Sequence, residues 1–138
     1  MRNLTKSFSE NVWSTACSIV TITNANNGGT FKILPDGTYE TFKPTSGYLV
    51  GTQGITISLP EFNNGSGVCL RGHIEAAAKS NNNLLGTWID NEDSTVCIDI
   101  VYHTENPIEA KNLGDKYLQK VIFDCRQNKA VFLNKYGI

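Results

Sequence analysis

Apolar and polar residues change period several times along this chain, and the changes outline its expected elements. Phe8, Val12 and Cys17 recur at near-helical spacing behind Ser7 or Ser9 as a cap, with Glu10 in the first turn. A short helix is therefore expected over residues 7–18. Residues 18–23 then alternate β-branched with polar side chains and read as a strand. Residues 30–34 and 38–42 alternate on either side of Pro35-Asp36-Gly37, and an Asp-Gly turn between two such runs predicts a β-hairpin. Residues 47–50 and 55–59 read as two more short strands, separated by Gly51 and Gly54.

Beyond the glycine-rich stretch 63–67, Val68, Leu70, Ile74, Ala77 and Ala78 fall near one helical face. Arg71 and Glu75 lie four apart on that helix, and Asn81 is its expected terminator. The final third is the most regular: a strand over 85–90, a polar turn over 91–94, and a second strand over 95–102 with Val96, Ile98 and Ile100 on one face. Asn106 is placed to cap a helix opening on Pro107, because proline suits the first helical position. That helix is expected to carry Ile108, Leu113, Tyr117 and Leu118 inward, and strands over 121–125 and 130–133 close the chain. The expected core of this unit is Trp88, Ile98, Ile100, Ile122 and Phe123. The order strand–strand–helix–strand predicts an α+β class, a mainly antiparallel sheet with two or three helices on one face, in a single domain over 1–138.

Composition narrows the function classes more than the fold. With 138 residues, 40% hydrophobic and 18% charged, the chain is long enough for one ordinary core and too apolar to be disordered. Lys plus Arg number 12 against 13 Asp plus Glu, and a net charge of −1 carries no nucleic-acid footprint. No run approaches the ~20 apolar residues of a membrane helix, and Met1 to Lys6 has no apolar stretch behind it to make a signal peptide. A soluble, cytoplasmic protein without membrane association is expected. Eight of the 15 asparagines fall near residues 24–29, 63–67 and 81–83, where they mark turns. Cys17, Cys69, Cys97 and Cys125 are scattered, with no C-x-x-C pair, and are expected to be reduced, core-filling residues.

Candidate chemistry is sparse. His73 and His103 are the two histidines, each a general base in principle at neutral pH, but a capping or surface role is the expectation for both. Asp90, Asp99 and Asp124 each lie in or at the end of an apolar strand, where they either converge on one edge as a cation site or alternate outward to solvent. Asp99 shares parity with Cys97 and Val101, opposite Ile98 and Ile100, and outward projection is the expectation. Residues 63–67 precede a helix and could seat an anion, but bring no lysine. Tyr39, Phe42, Tyr48 and Trp88 offer aromatic surface. Tyr48, Asn64, Arg71, His73, Trp88 and His103 are thus the candidate binding residues, with no catalytic residue, metal ligand or cofactor assigned.

Leu85-Gly86-Thr87-Trp88-Ile89-Asp90, Val96-Cys97-Ile98-Asp99, Ala110-Lys111-Asn112-Leu113-Gly114, and Gln119 with Ile122-Phe123-Asp124 together resemble small uncharacterised proteins of bacteriophages and prophages. Those proteins show a Gly-x-Trp-x-Asp strand, a Tyr-x-Asp-like strand, a helix with Ala and Leu-Gly, and an Ile-Phe-Asp strand. Ser46-Gly47-Tyr48-Leu49-Val50-Gly51 is similar to their Gly-Tyr-x-Val segment, whereas Cys97 stands where an aromatic is usual. The resemblance covers 46–51 and 85–124, and it implies a phage setting, in the host cytoplasm, and no mechanism. In that setting three readings compete. A non-catalytic protein would bind a host protein stoichiometrically, including a component of a host defence system. A sequestering protein would hold a small, nucleotide-like molecule in a pocket at a homo-oligomer interface. An enzyme would work through Asp90, Asp99 and Asp124.

Overall fold

The structure, a computed structural model, describes residues 6–64, 68–80, 83–119 and 121–133. In chain order the elements are α1 (Phe8–Asn26), β1 (Gly28–Ile33), β2 (Tyr39–Thr41), β3 (Tyr48–Ser58), α2 (Leu59–Asn63), α3 (Val68–Lys79), β4 (Leu84–Asp90), β5 (Thr95–Thr104), α4 (Pro107–Lys116), β6 (Val121–Asp124) and β7 (Lys129–Phe132). The strands form one sheet in the order β2-β1-β4-β5-β3-β6-β7. Every pairing in it is antiparallel. The α+β class expected from the sequence is the one observed.

Helix α1 corrects the first expectation. Ser7 and Glu10 form a capping box, with the Glu10 amide donating to Ser7 Oγ at 3.2 Å and the Ser7 amide donating to Glu10 Oε1 at 3.1 Å. The helix then runs straight through residues 18–23, which alternate like a strand but are helical. Val12, Ala16, Ile19 and Thr23 recur every three or four residues and are all buried, so packing overrides β-propensity. Asn27 ends the helix at φ 67°, where asparagine is one of the few side chains at ease. The hairpin follows as expected: β1 and β2 pair through Phe31↔Thr41 and Ile33↔Tyr39. Its turn is docked on α1, where Thr15 Oγ1 donates to the Gly37 carbonyl at 2.6 Å and Asn11 Nδ2 to the Asp36 carbonyl at 2.7 Å.

The two strands expected over 47–50 and 55–59 are one long strand, β3, whose register against β5 slips between Gly51 and Gln53. This bulge absorbs the glycines that looked like a break. Leu59 leaves the sheet and opens α2, capped by the Ser58 hydroxyl, which accepts from the Glu61 amide at 3.2 Å. Helix α3 forms where its apolar spacing places it; its expected terminator, Asn81, lies outside the described residues. Helix α4 begins at Pro107 under the Asn106 cap, whose side-chain oxygen accepts from the amides of Ile108 and Glu109.

Residues paired directly across strands share a face, and this sorts the whole sheet. Phe31, Ile33, Leu85, Ile89, Val96 and Ile98 project from one face into a core with Val12, Ala16 and Ile19 of α1, Phe62 of α2, and Leu70, Ile74 and Ala77 of α3. Val50 and Ile122 project from the same face into a second cluster with Ala110 of α4. The described helices therefore all bury their apolar sides on a single face. Leu113 of α4 packs against the second cluster as expected, but Ala110 and Gly114 are the residues buried there, while Ile108 and Leu118 are 70% and 77% exposed. Gly114 sets the phase of this helix, since a Cβ there would lie 3.2 Å from Ile122 Cγ2 and collide with Leu133 Cδ1. Of the five expected core residues, Ile98 and Ile122 are buried, Ile100 and Phe123 are half-buried, and Trp88 is exposed.

Candidate functional site

The face that carries no described helix is the back of the sheet. Trp88 pairs with Cys97, Gly86 with Asp99, Gly54 with Asp99 and Thr56 with Cys97, so these six residues share it. One end is closed. Leu84 and Val101 are buried there, and His103 of the same face meets the edge of the Phe42 ring at 5.5 Å between centroids. The other end is open, and Trp88 stands there 57% exposed.

Asp99 lies at the middle of this face under unusual conditions. No described residue donates a hydrogen bond to its carboxylate. Its neighbours across the strands are glycines: a Cβ on Gly51 would lie 3.2 Å from the Asp99 carboxyl carbon, and one on Gly54 would collide with the carboxylate itself. The side chain thus lies against bare backbone, in space that any other residue at position 54 would fill. Burial pushes its pKa up from 3.8 to about 6, and the His73 charge only partly opposes this. The outward parity expected for Asp99 holds, but the carboxylate is half-buried and not freely solvated.

The other two aspartates are spoken for. Asp90 Oδ1 accepts from the amides of Glu92 and Asp93 at 3.0 and 3.2 Å, and Asp124 Oδ1 accepts from those of Arg126 and Gln127 at 3.0 and 3.2 Å. Each organises the turn that follows its strand. Strands β5 and β3 separate β4 from β6, so the three aspartates do not converge. Among the described residues no group of three His, Cys, Asp or Glu side chains is placed to hold a metal ion.

The six candidate binding residues are divided by the sheet. Trp88 is on the open back face. His103 is at its closed end, where Nε2–H donates to the Ser46 carbonyl at 2.9 Å and lies 3.6 Å from Glu105 Oε2, tying down the β2–β3 connection. Tyr48 is on the opposite face, packed against the cluster of Val50, Ala110 and Ile122. On α3, His73 donates Nδ1–H to the Cys69 carbonyl at 2.8 Å, and the Arg71 guanidinium lies 4.1 Å over the Trp13 ring. Asn64 ends α2, its amide donating to the Pro60 carbonyl at 3.2 Å. The anion seat considered at 63–67 rests on residues 65–67, which lie outside the described residues.

All four cysteines are free, and they differ in setting. Cys125 is buried, and desolvation, then Asp124 and Glu105, push its thiol pKa up. Cys69 and Cys97 are half-buried, and Cys17, expected in the core, is exposed on α1. Cys17 borders a shallow depression of about 330 Å³ with Ser18, Thr21, Ile22 and Tyr39. A second depression, about 240 Å³, lies further along α1 beside Asn11, Ser14 and Thr15. Neither contains a candidate carboxylate or histidine.

Sequence reasoning missed the pairing of Asp99 with its glycine neighbours. Gly51 and Gly54 are visible in the sequence as a strand interruption and Gly86 as part of the 85–90 strand, but their meeting around one carboxylate depends on cross-strand register. No family model, curated protein or solved structure matches the chain.

Proposed function

We propose that the protein is a phage-type, non-catalytic binding protein that acts stoichiometrically on a host protein in the host cytoplasm, as an antagonist of a defence component. The exposed indole of Trp88 on the open back face is the observation that carries this reading. A large aromatic presented from a rigid strand, backed by a packed core on the other side, has the properties of an interface anchor.

Several groups suited to turnover already have structural partners. His73 and His103 each spend a ring nitrogen on a backbone carbonyl, and Asp90 and Asp124 hold their own turns. What remains on the open face is shape, an aromatic and one carboxylate, which suits recognition more than bond-making.

The test is dose. Host cells expressing graded amounts of the protein are challenged with phage, and plating efficiency is read against protein copies per cell. Stoichiometric action requires the effect to track copy number and to survive the combined change of Asp90 and Asp124 to asparagine in a variant that still folds. Full effect at copy numbers far below those of any host target, abolished by that double change, would establish catalysis instead.

A further inference from the structure

We infer that the open back face is a receptor for an arginine side chain presented by the partner protein, its guanidinium lying between the Trp88 indole and the Asp99 carboxylate. This rests on the reading that the back face is the binding face, and adds the chemistry it selects.

The register puts the two groups within reach of one ligand. Trp88 pairs with Cys97 and Gly86 with Asp99, so Trp88 and Asp99 are diagonal neighbours on adjacent strands and on one face. Such neighbours stand roughly 7–8 Å apart at the backbone, and the Asp99 carboxylate leans toward Gly51 and Gly54 of β3, so a guanidinium stacked on the indole would reach it across β5. Asp99 has glycine on both sides, Gly86 on β4 and Gly54 on β3, and among the described residues the side chain beside the Trp88–Asp99 diagonal is Cys97.

Charge favours a cation over other occupants. Asp99 receives no hydrogen bond from a described residue, and the flanking strands bring glycine, threonine and tryptophan to it, with His73 of α3 as the basic group that influences it. A carboxylate held in partial burial without a donor gains most from a partner that supplies both charge and donors. It would repel a phosphate, which sets nucleic acid aside. Arginine fits better than lysine because its flat, weakly hydrated head can stack on indole while its N–H groups reach the carboxylate. The chain makes the same kind of contact internally, with Arg71 4.1 Å over Trp13.

The experiment titrates Nα-acetyl-arginine amide into the full chain and follows the Trp88 indole N–H and the Asp99 backbone amide by 1H–15N NMR. Nα-acetyl-citrulline amide, neutral but equal in shape, is the control. The arginine compound should give saturable shifts at those two positions, and the citrulline compound affinity weaker by roughly tenfold or more, as loss of a charge-assisted contact implies. Asp99→Asn should weaken arginine binding to the same degree, and Trp88→Ala should remove it. Neither side chain forms a hydrogen bond or ion pair with a described residue, and unperturbed spectra elsewhere would show that the fold is kept. Equal shifts from the citrulline compound, no saturable shift from the arginine compound, or undiminished binding by Asp99→Asn would each overturn the inference. If those failures occur while Trp88→Ala still abolishes the effect in cells, the back face remains the binding face and only the cation is wrong. If Trp88→Ala leaves the cellular effect intact, the proposed binding face itself fails.

Discussion

Changing Asp99 to asparagine should stabilise the protein, and should do so only above acid pH. The substitution keeps the side chain's shape beside Gly51 and Gly54 and removes its charge. In the folded chain the carboxyl titrates at about 6, against 3.8 in the absence of structure, because burial disfavours the ionised form. The native state therefore holds its proton more tightly than the unfolded state. Below about pH 4 both states are protonated and the wild type suffers no penalty. Between about pH 4 and pH 6 the unfolded state ionises first, so wild-type stability falls as pH rises, and above about pH 6 the loss is complete. At 1.36 kcal/mol for each tenfold change in proton affinity, the full loss is about 3 kcal/mol, a ceiling that solvent on the open side lowers. Urea unfolding of both proteins at pH 3.5, 5, 6 and 7.5, followed by far-UV circular dichroism, measures this directly. The Asn variant should match the wild type at the lowest pH and exceed it by roughly 1–3 kcal/mol at the highest. A difference that is flat with pH, or a wild type that gains on the variant as pH rises, would refute the placement of Asp99 against bare backbone.

Two further outcomes follow from the core and the thiols. Ile98→Ala removes a fully buried side chain between β5 and the helices and should cost about 2–5 kcal/mol in the same unfolding assay at pH 7.5; a near-unchanged midpoint would show that the strand facing is wrong. Since all four cysteines are free, adding a reductant should leave the melting temperature within error of its value without one, whereas a large drop would reveal a cross-link.

Where local chemistry decides structure, the sequence was readable. The β1–β2 hairpin follows from Pro35-Asp36-Gly37, and the start of α4 from Asn106 and Pro107, because each is dictated by a few adjacent residues. Where packing decides, it was not. Residues 18–23 have the alternation of a strand, and only the core against β1 and β4 makes them helical. The phase of α4 depends on Gly114 meeting Ile122 and Leu133, partners outside the helix, whereas hydrophobicity alone points Ile108 and Leu118 inward. The site divides in the same way. Parity within β5 correctly set Asp99 apart from Ile98, but its glycine surroundings come from three strands and a bulge, which no single-strand pattern encodes. Trp88 was expected both in the core and among binding residues, and parity with Gly86 resolves it in favour of the open face.

The central claim is that the protein works by presenting the back of its sheet to a host protein, with Trp88 as anchor. It is tested most directly by native mass spectrometry of the protein recovered from bacterial host cells, wild type beside Trp88→Ala at equal expression. The account requires a complex with one host protein in fixed ratio for the wild type, and free protein of unchanged fold for the variant. The same complex at the same occupancy in both samples, or a bound small molecule in place of a protein, would contradict it.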